Sequence, residues 1–571
     1  MQKVNWNFKN SLLEPKKISE FSKKYKISYV MSTVLLNRGI ETEEQVRGYI
    51  SKSLEFINNP KLLPDIEAAV ERIITAIENK EKIVIYGDYD VDGVTSTSLL
   101  YSFLKDNGAD VEYFIPDRIK DGYGLNILAV NRLSKKGTKL IITVDCGISS
   151  FGEVELAKAQ KMDVIITDHH TCKEKIPQAL AVVNPKRPDC EYPFNELAGV
   201  GVTFKLVLAV AMKMGLNTRE CFDKYVELAA IGTIADVVSL QGENRVIVHK
   251  GIQSIENSDN YGIKSLLKIS GAYGKEVNST TIAFMISPRL NAAGRMGSAD
   301  LAVSLLLSKS EEEAYELAVK LDEINKQRQK TELEIFNEAV KMIENDPDKD
   351  NKKVIVLAKE GWHHGVIGIV ASRIVEMYYK PCILIAQEGN TGKGSGRSVI
   401  QMNLFDALTE CEDLLTQFGG HDQAAGLSLN MDNFNAFVTK INKYVQEKFK
   451  TDFVKTLDID CSVPSGFISV QSAKQLKWLE PVGMDNEKPV FAVKGAKVIN
   501  AAVIGADGKH LKIKVDISGK NVEAVGFGFG DYAKYLVPDR MIDIAFNLDI
   551  NYFMDNEKVQ LIIKDIKSTK R

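Results

Sequence analysis

The chain has 571 residues, of which 44% are hydrophobic and 26% charged, and its formal net charge is −3. This length favours several domains, about three or four at ordinary domain size. The sequence has no apolar run as long as the roughly 18 residues that a membrane span needs, and its first residues lack the apolar core of a signal peptide, so we expect a cytoplasmic protein without a membrane segment. Seven widely spaced Cys without a CxxC pair are typical of reduced thiols rather than of a disulfide framework or a zinc ribbon.

The first half of the chain predicts a mostly parallel α/β sheet. Residues up to about 60 favour helices, and Thr42 and Gln45 have the spacing of a capping box. Strands and helices then alternate, which is typical of parallel sheets. The predicted strands are 82–86, 111–115, 139–144 and 163–167, and the predicted helices are 66–79, 94–106, 151–161, 202–214 and 222–234.

The second half predicts a long helix, a second α/β unit and a barrel. Residues 308–345 contain no Gly or Pro and carry apolar residues at helical spacing, which indicates a helix that bridges domains. The second unit is predicted to contain strands 354–357 and 382–386, helices 366–378, 403–416 and 432–448, and a Gly-rich loop at 392–398. Alternating strands at 490–499, 511–516, 522–529, 541–550 and 558–565 predict a small antiparallel barrel.

Three Asp follow the first buried strand, in the stretch GDYDVDG. Asp88, Asp90 and Asp92 occupy alternate positions, so an extended backbone would direct all three carboxylates the same way. Crowded carboxylates repel one another unless a cation lies between them, and oxygen ligands suit Mg²⁺ or Mn²⁺. The alternative is a solvated acidic turn.

Two later strands also end in acidic residues. Asp145 follows strand 139–144, and Asp168, His169 and His170 follow strand 163–167. Parallel neighbours bring such strand ends to one edge of a sheet, and imidazole is a ligand that suits Mn²⁺. Asp236 stands alone in an apolar segment, where a buried acid needs a partner. Taken singly, Asp145 and Asp236 are as typical of a helix cap or a paired core acid as of a metal ligand.

An ordered set of motifs resembles the DHH phosphoesterase superfamily and, within it, the RecJ-type exonucleases. These motifs are GDYDVDG at 87–93, PDRIKDGYGL at 116–125, DCG at 145–147, DHH at 168–170, GTIADVV at 232–238, SPRLNAAGRMG at 287–297, GWHHGVIGIVASR at 361–373, GSGRS at 394–398 and GGHDQAAG at 419–426. The resemblance implies a 5′→3′ exonuclease specific for single-stranded DNA that acts in recombination and repair and releases 5′-mononucleotides. It also implies single-stranded-DNA-binding protein and a RecQ-type helicase as partners.

The resemblance implies a site with two ions, Mn²⁺ or Mg²⁺. The metal ligands would be Asp88, Asp90, Asp92, Asp145, His169 and Asp236, with Asp145 shared between the ions, and the catalytic set would be Asp90, Asp92, Asp145, His169, His170 and Asp236. Two cations activate water and stabilise the leaving oxygen in phosphodiester hydrolysis. His170 is expected either to contact the phosphate or to orient a ligand, and Asp168 to hold a histidine tautomer.

The substrate-binding residues implied by the resemblance lie in other motifs. They are Arg118, Tyr123, Arg289, Asn291, Arg295, Ser395, Arg397 and His421, and the terminal 5′ phosphate is assigned to Arg118, Ser395 and Arg397. Arg offers a planar fork to phosphate, and Tyr offers a stacking face. In isolation, Arg118 and Tyr123 would be typical of an ordinary surface loop. Arg289, Asn291 and Arg295 would also fit a salt-bridged loop.

The predicted architecture is an α/β protein in which a parallel-sheet DHH domain is joined by a long helix to a second α/β domain of DHHA1 type, followed by an OB-like antiparallel β-barrel. The predicted divisions are a helical segment at 1–65, the DHH domain at 66–300, the connecting helix at 301–350, the DHHA1 domain at 351–452 and the barrel at 453–571. Two rival functions stay open, a phosphodiesterase for short oligonucleotides or cyclic dinucleotides and a non-catalytic DNA-binding scaffold.

Overall fold

The computed structural model describes residues 4–118, 122, 124–505, 507–553 and 556–569, and of Tyr552 and Phe553 only the backbone. These residues form two compact units. Of the described residues, the first unit contains those within 4–287, 306–309 and 456–569, and the second unit contains 288–305 and 310–455. None of the helices in the described ranges is long and apolar enough to cross a membrane.

The first unit begins with a strand and four helices. These elements are β1 Val4–Phe8, α1 Pro15–Tyr25, α2 Tyr29–Asn37, α3 Glu43–Ser51 and α4 Ile66–Glu78. The predicted capping box is confirmed, because the Thr42 side chain accepts from the backbone N–H of Gln45 and the Gln45 side chain accepts from the backbone of Thr42. Helix α3 therefore begins at the residue that the sequence indicates.

A five-stranded parallel sheet follows, in the order β3-β2-β4-β5-β6. Its elements are β2 Lys82–Tyr86, α5 Val91–Asp106, β3 Asp110–Phe114, α6 Ile127–Lys135, β4 Leu140–Val144, α7 Phe151–Ala159, β5 Asp163–Thr167 and β6 Ala181–Val183. All residues of β4 are buried, as are the last four of β2 and of β5, as expected for strands covered on both faces. The predicted strands are confirmed, and β6 is an additional edge strand.

Helices complete this part of the chain. They are α8 Gly199–Lys213, α9 Thr218–Ala235, α10 Gly242–Ile255, α11 Tyr261–Ser270, α12 Ser279–Thr281, α13 Ser287–Met296 and α14 Asp300–Leu307, with a π-helical turn at Ile282–Ile286. The predicted long helix is α15, Glu311–Glu344. The side chain of Ser310 caps it, and three Glu occupy its first turn, where negative charge interacts favourably with the helix dipole.

The second unit contains a mixed five-stranded sheet of order β10-β11-β9-β8-β7. Its elements are β7 Ile355–Glu360, α16 His364–Tyr378, β8 Cys382–Glu388, β9 Thr391–Arg397, α17 Leu404–Thr409, β10 Gln417–Gly420, β11 Ala424–Asn430 and α18 Phe434–Lys448. Only β7 and β8 are parallel, since β9 pairs antiparallel with β8 and β11, and β10 with β11.

The prediction of a Gly-rich loop at 392–398 is wrong, because this segment is the central strand β9. Its glycines alternate with side chains that lie on the other face. A Cβ at Gly394 would lie 2.9 Å from two Leu427 atoms, so only glycine fits against this core. The backbone of β9 pairs with both neighbouring strands and is therefore not positioned to bind an anion through its N–H groups.

The barrel belongs to the first unit and is closed, as predicted. Its elements are β13 Cys461–Ser462, α19 Val470–Leu476, β14 Phe491–Ile504, β15 His510–Ile517, β16 Lys520–Gly526, β17 Met541–Phe553 and β18 Asn556–Ser568. The strand before it, β12 Lys455–Ile459, pairs with β1 in a separate two-stranded sheet. The closure runs β14-β15-β16-β18-β17 and back to β14. The pairs of this closure are antiparallel except β16 with β18, which is parallel, and β13 pairs in parallel with β14 at the edge of the closure. Apolar residues of α1, α2 and α3 join the barrel core, so the N-terminal helices pack on the barrel.

Candidate metal centre and substrate contacts

The carboxyl ends of β2, β4 and β5 bring the predicted acidic residues together. Asp88 lies in the turn after β2, Asp90 caps helix α5 by accepting from the N–H of Gly93 at 3.0 Å, and Asp92 lies in the first turn of that helix. The extended spacing expected for these three Asp is therefore wrong for Asp92. The helical turn, rather than strand alternation, positions its carboxylate.

Asp145, His169 and Asp236 meet at the same edge of the sheet. His169 Nε2 lies 3.2 Å from Asp145 Oδ1, 3.6 Å from Asp236 Oδ2 and 4.0 Å from Asp92 Oδ2. Asp145 follows β4 with a φ of +59°, in the left-handed region that L-residues rarely adopt. Asp236 is the residue at which helix α9 ends.

We call Asp88, Asp90, Asp92, Asp145, His169 and Asp236 the acidic cluster. Within it and beside it, three groups have ligand atoms close enough to hold one metal ion: Asp88 with Asp90 and Asp145, Asp92 with His169 and Asp236, and Asp145 with His169 and His170. Asp145 belongs to two of these groups. The structure thus brings together all six predicted metal ligands.

Burial and mutual repulsion make the acidic cluster suitable for cations. Burial, and then the charge of neighbouring Asp residues, raises the pKa values of these carboxyl groups. The pKa values of Asp88 and Asp145 lie well above the ordinary value, the pKa of Asp92 is raised to about 7, and the pKa of Asp236 is raised to about 9. Within the described residues, Asp88 Oδ1, Asp236 Oδ2 and both ring nitrogens of His169 make no hydrogen bond although they are buried. Such atoms need a partner, and a divalent cation provides one.

The two histidines have opposite electrostatic environments. Burial, and then the charge of His170, lowers the pKa of His169 to about 3, so this imidazole is neutral, as a metal ligand must be. Burial opposes protonation of His170 as well, but the hydrogen bond and charge of Asp168 raise its pKa to about 9. His170 is therefore a cation at neutral pH.

Asp168 holds the turn after β5 rather than a metal ion. Its carboxylate accepts from the backbone N–H of Ile148 at 2.9 Å, of His169 at 2.7 Å and of His170 at 3.0 Å, and its Oδ1 lies 2.7 Å from His170 Nδ1. These contacts fix the orientation of His170, the role that the sequence suggested for Asp168.

The start of helix α8 contributes residues that the sequence reasoning missed. The N–H groups of Gly199 and Val200 each donate to Asp92 at 2.7 Å, so the helix N-terminus holds this carboxylate. A Cβ at Gly199 would lie 2.6 Å from Asp145 Oδ1. The closely spaced glycines of the stretch AGVGV at 198–202 were the available signal for this close approach.

The predicted substrate residues are distributed over both units. In the first unit, Arg118 lies over the ring of Tyr89 at 4.9 Å, and its charge acts on Asp88. Tyr123 lies outside the described residues. In the second unit, Arg397 Nη1 donates to Ser395 Oγ at 3.1 Å, and a Cβ at Gly368 of α16 would lie 2.8 Å from that hydroxyl oxygen.

The other predicted substrate residues of the second unit are Arg289, Asn291, Arg295 and His421. Arg295 donates to the Gly365 carbonyl at 3.2 Å, at the start of α16. Asn291, on α13 one turn earlier, shares the helical face of Arg295. Arg289 is paired with Asp322 at 2.9 Å, and His421 lies exposed in the turn between β10 and β11.

Three family models match the chain: the DHH family N-terminal domain at residues 82–233, the DHHA1 domain at 351–447 and the RecJ OB domain at 459–565. The single-stranded-DNA-specific exonuclease RecJ of Bacillus subtilis strain 168 is 39% identical over 567 residues, which cover 99% of this chain and 71% of that protein. The chain belongs to the RecJ family. The RecJ of Escherichia coli K12 is 34% identical over 554 residues, covering 93% of this chain and 94% of that protein.

Solved structures of the RecJ family agree with this assignment. The crystal structure of RecJ in complex with Mn²⁺ from Thermus thermophilus superimposes with a TM-score of 0.85 at 31% identity, covering 100% of this chain and 80% of that one. The family assignment and the fold class predicted from the sequence are thereby confirmed. The exact domain boundaries and the roles of individual site residues stay predictions.

Proposed function

We propose that this chain is a metal-dependent exonuclease specific for single-stranded DNA, which degrades the strand in the 5′→3′ direction and releases 5′-mononucleotides. The observation that carries the proposal is the acidic cluster, complete at the carboxyl edge of the first sheet in a member of the RecJ family. Two solved RecJ structures are complexes with Mn²⁺ and with Mg²⁺, which supports either ion as the cofactor.

The acidic cluster would hold two ions. Asp145 is the proposed shared ligand, with Asp88 and Asp90 on one side and Asp92, His169 and Asp236 on the other, an assignment supported by the groups whose ligand atoms lie close together. When bound, the cations stabilise the negative charge that develops on the phosphate oxygens.

The residues of the chain orient and neutralise the phosphodiester. Protonated His170 has two N–H donors, one of which is directed to Asp168, and we assign the other to a phosphate oxygen. The N-terminus of α8 holds the Asp92 carboxylate, and the absence of a side chain at Gly199 lets the helix backbone lie close to Asp145. Preorganised contacts of this kind need little rearrangement when the substrate arrives.

The substrate contacts are proposed for each unit by itself. In the first unit, Arg118 is assigned to a phosphate near the acidic cluster, because its charge already acts on Asp88. In the second unit, Ser395 and Arg397 are assigned to a phosphate as a hydroxyl and guanidinium pair, with Arg295, Asn291 and His421 as neighbouring contacts. Arg289 is the weakest assignment, because Asp322 compensates its charge.

The cellular setting follows the same family reasoning. We propose action in DNA recombination and repair in the cytoplasm, with single-stranded-DNA-binding protein and a RecQ-type helicase as partners. The seven cysteines are all free thiols, which supports a reducing compartment.

The test is digestion of a single-stranded oligonucleotide that carries a label at either the 5′ or the 3′ end, in the presence of Mn²⁺. We expect immediate release of a labelled mononucleotide from the 5′ end, while a blunt duplex of the same sequence stays intact. Cleavage restricted to very short oligomers would instead support the small-substrate phosphodiesterase. Tight binding without cleavage in either metal would support the scaffold.

A further inference from the structure

The turn that follows edge strand β6 reaches the same edge of the sheet as the acidic cluster. Strand β5 pairs in parallel with β6, with Thr167 opposite Val183, and the N–H of Asp168 donates to the Val183 carbonyl at 3.1 Å. Beyond the two strand ends, His170 lies three residues after Thr167, and Lys186 lies three residues after Val183. The strand end that supplies Lys186 is thus the immediate neighbour of the one that supplies the histidines.

Asn184 fixes the backbone of this turn. Its side chain is buried, its Nδ2 donates to the carbonyl of His170 at 3.0 Å, and its Oδ1 accepts from the N–H of Lys186 at 2.8 Å. One amide therefore connects the backbone of His170 to that of Lys186. A second contact, from the N–H of Arg187 to the Asn184 carbonyl at 3.3 Å, closes the turn.

The two cations of this turn differ in how they are compensated. Arg187 forms ion pairs with Asp65 and Asp189, each at 2.6 Å, and donates to the Val182 carbonyl at 2.7 Å. Lys186 is partly buried and has no acidic partner within 4.0 Å among the residues that the structure describes. Burial dominates the pKa of Asp236 and of His169, and the charge of Lys186 lowers both, so its field reaches the acidic cluster.

We propose that the Lys186 ammonium binds a backbone phosphate of the DNA strand beside the acidic cluster, an inference that rests on the proposed function. A phosphodiester carries one negative charge and would approach an edge that is lined with carboxylates. A fixed cation next to that edge reduces the repulsion and orients the phosphate by a charge-assisted hydrogen bond. Arg187 holds the turn, whereas Lys186 supplies the ligand contact.

The experiment compares Lys186→Gln with Lys139→Gln in the full-length chain. Lys139 is exposed and immediately precedes β4, at the opposite, amino edge of the same sheet, so its substitution makes the same change in net charge away from the acidic cluster. Affinity for a fluorescent single-stranded oligonucleotide is measured by anisotropy in EDTA, where no hydrolysis occurs, over a series of KCl concentrations. Thermal unfolding of each variant checks that it is folded.

For Lys186→Gln we expect about 10-fold weaker binding at low salt. The slope of log affinity against log salt should fall by about 0.7, the value for one phosphate contact on a single strand. Lys186→Arg should restore both quantities, and Lys139→Gln should leave both unchanged. Replacing the first phosphodiester of the oligonucleotide by an uncharged methylphosphonate should weaken binding to the wild type more than to Lys186→Gln.

Equal affinity and equal salt slope for wild type and Lys186→Gln would overturn the inference. The same conclusion would follow if Lys139→Gln lost as much affinity, because the effect would then come from net charge. Failure of the proposed function is distinguishable, since in that case the wild type would not digest single-stranded DNA at all.

Discussion

The first unit contains two buried groups of charged side chains that are built on opposite principles. In the acidic cluster, five carboxylates lie together with His169, which is itself neutral, so the negative charge is left for a partner from outside. On helix α8, the Lys205 ammonium contacts Glu243, whose carboxylate also accepts from the Asn58 N–H at 2.9 Å and from the Tyr192 hydroxyl at 2.6 Å. The comparison indicates that a charge compensated by the chain serves the fold, whereas an uncompensated one serves a ligand.

Arg245 on α10 extends the comparison to a cation without an acid. It is 2% exposed and uses its five N–H donors on the carbonyls of Tyr49, Trp478, Leu479, Glu480 and Pro481, at 2.8–3.2 Å. The guanidinium also lies 3.8 Å from the centre of the Tyr49 ring. Backbone dipoles and an aromatic face thus replace a carboxylate, and this residue joins helices α3 and α10 to the segment that precedes the barrel.

The largest expected effect is on the acidic cluster. Asp145→Asn should reduce exonuclease turnover by at least about 10³-fold, which corresponds to about 4 kcal/mol. Because the substitution removes one of several repelling carboxylates, we expect the metal-free variant to unfold at the same temperature as the wild type or higher. Turnover and calorimetry of the two proteins measure both effects.

Asp110→Asn is the matched control for this prediction. Asp110 is exposed at the amino end of β3, on the far edge of the same sheet, and its substitution should leave turnover unchanged. A destabilised but active Asp145→Asn variant would place Asp145 in the structural class of charged groups and contradict the comparison.

The compensated pair should respond in the opposite way. Glu243→Gln leaves the Lys205 ammonium buried without its counter-ion and should lower the free energy of unfolding by about 3 kcal/mol, while the folded fraction keeps its specific activity. The double variant Lys205→Met/Glu243→Leu should lose less stability than the single variants Lys205→Met and Glu243→Leu lose together. Urea denaturation measures all four variants.

A surface pair provides the reference for that series. Lys213 and Glu71 lie 3.9 Å apart with side chains that are 59% and 70% exposed, so Glu71→Gln should change stability by less than about 0.5 kcal/mol. If Glu243→Gln were equally mild, the buried pair would not be a structural element.

Glu227 of α9 gives a pH dependence away from the acidic cluster. Burial, opposed by a hydrogen bond from Ser258, raises its pKa from 4.5 to about 7. Between these pH values the folded state binds more protons than the unfolded state. The free energy of unfolding is therefore highest below pH 4.5 and falls as the pH rises to about 7. Glu227→Gln should therefore stabilise the chain by about 2 kcal/mol at pH 8 and not at pH 4.5.

Denaturation of wild type and Glu227→Gln across this pH range measures the difference. Glu256→Gln, an exchange of the same type on a more exposed residue, is the control. A constant difference between wild type and Glu227→Gln at all pH values would contradict the assigned cause.

Apart from the control variants, the smallest effect is expected at the capping box. Thr42→Ala removes the oxygen that accepts from Gln45 at the start of α3, an exposed site, and should cost about 1 kcal/mol. Thr42→Ser keeps that oxygen and should be nearly neutral. A thermal shift of equal size for both variants would show that the hydroxyl is not the cause.

Local patterns predicted much of the acidic cluster from the sequence. The apolar runs before Asp88, Asp145 and Asp168 predicted buried parallel strands, and parallel pairing requires their ends to meet at one edge. The capping box at Thr42 is equally local, and the structure confirms it. Such features depend on residues within a few positions of one another.

Features that depend on distant residues could not be predicted. The alternation in GKGSGR is a strand pattern, but its glycines suggested a loop, because their fit against Leu427 arises only when β11 packs alongside. In the sequence, Asp92 continues the two-residue spacing of Asp88 and Asp90, which is typical of a strand, but in the structure helix α5 has already begun at Val91. The acceptors of Arg245 come from residues more than 190 positions away on either side, and nothing near α10 in the sequence indicates them.

The position of Arg245 also sets an order of events on the ribosome. Its carbonyl acceptor at Trp478 lies 233 residues further along the chain. At about 5–20 residues per second, that segment is synthesised roughly 10–50 s after the arginine. During this interval the guanidinium stays hydrated, so α10 reaches its final packing only when the segment ahead of the barrel has been translated.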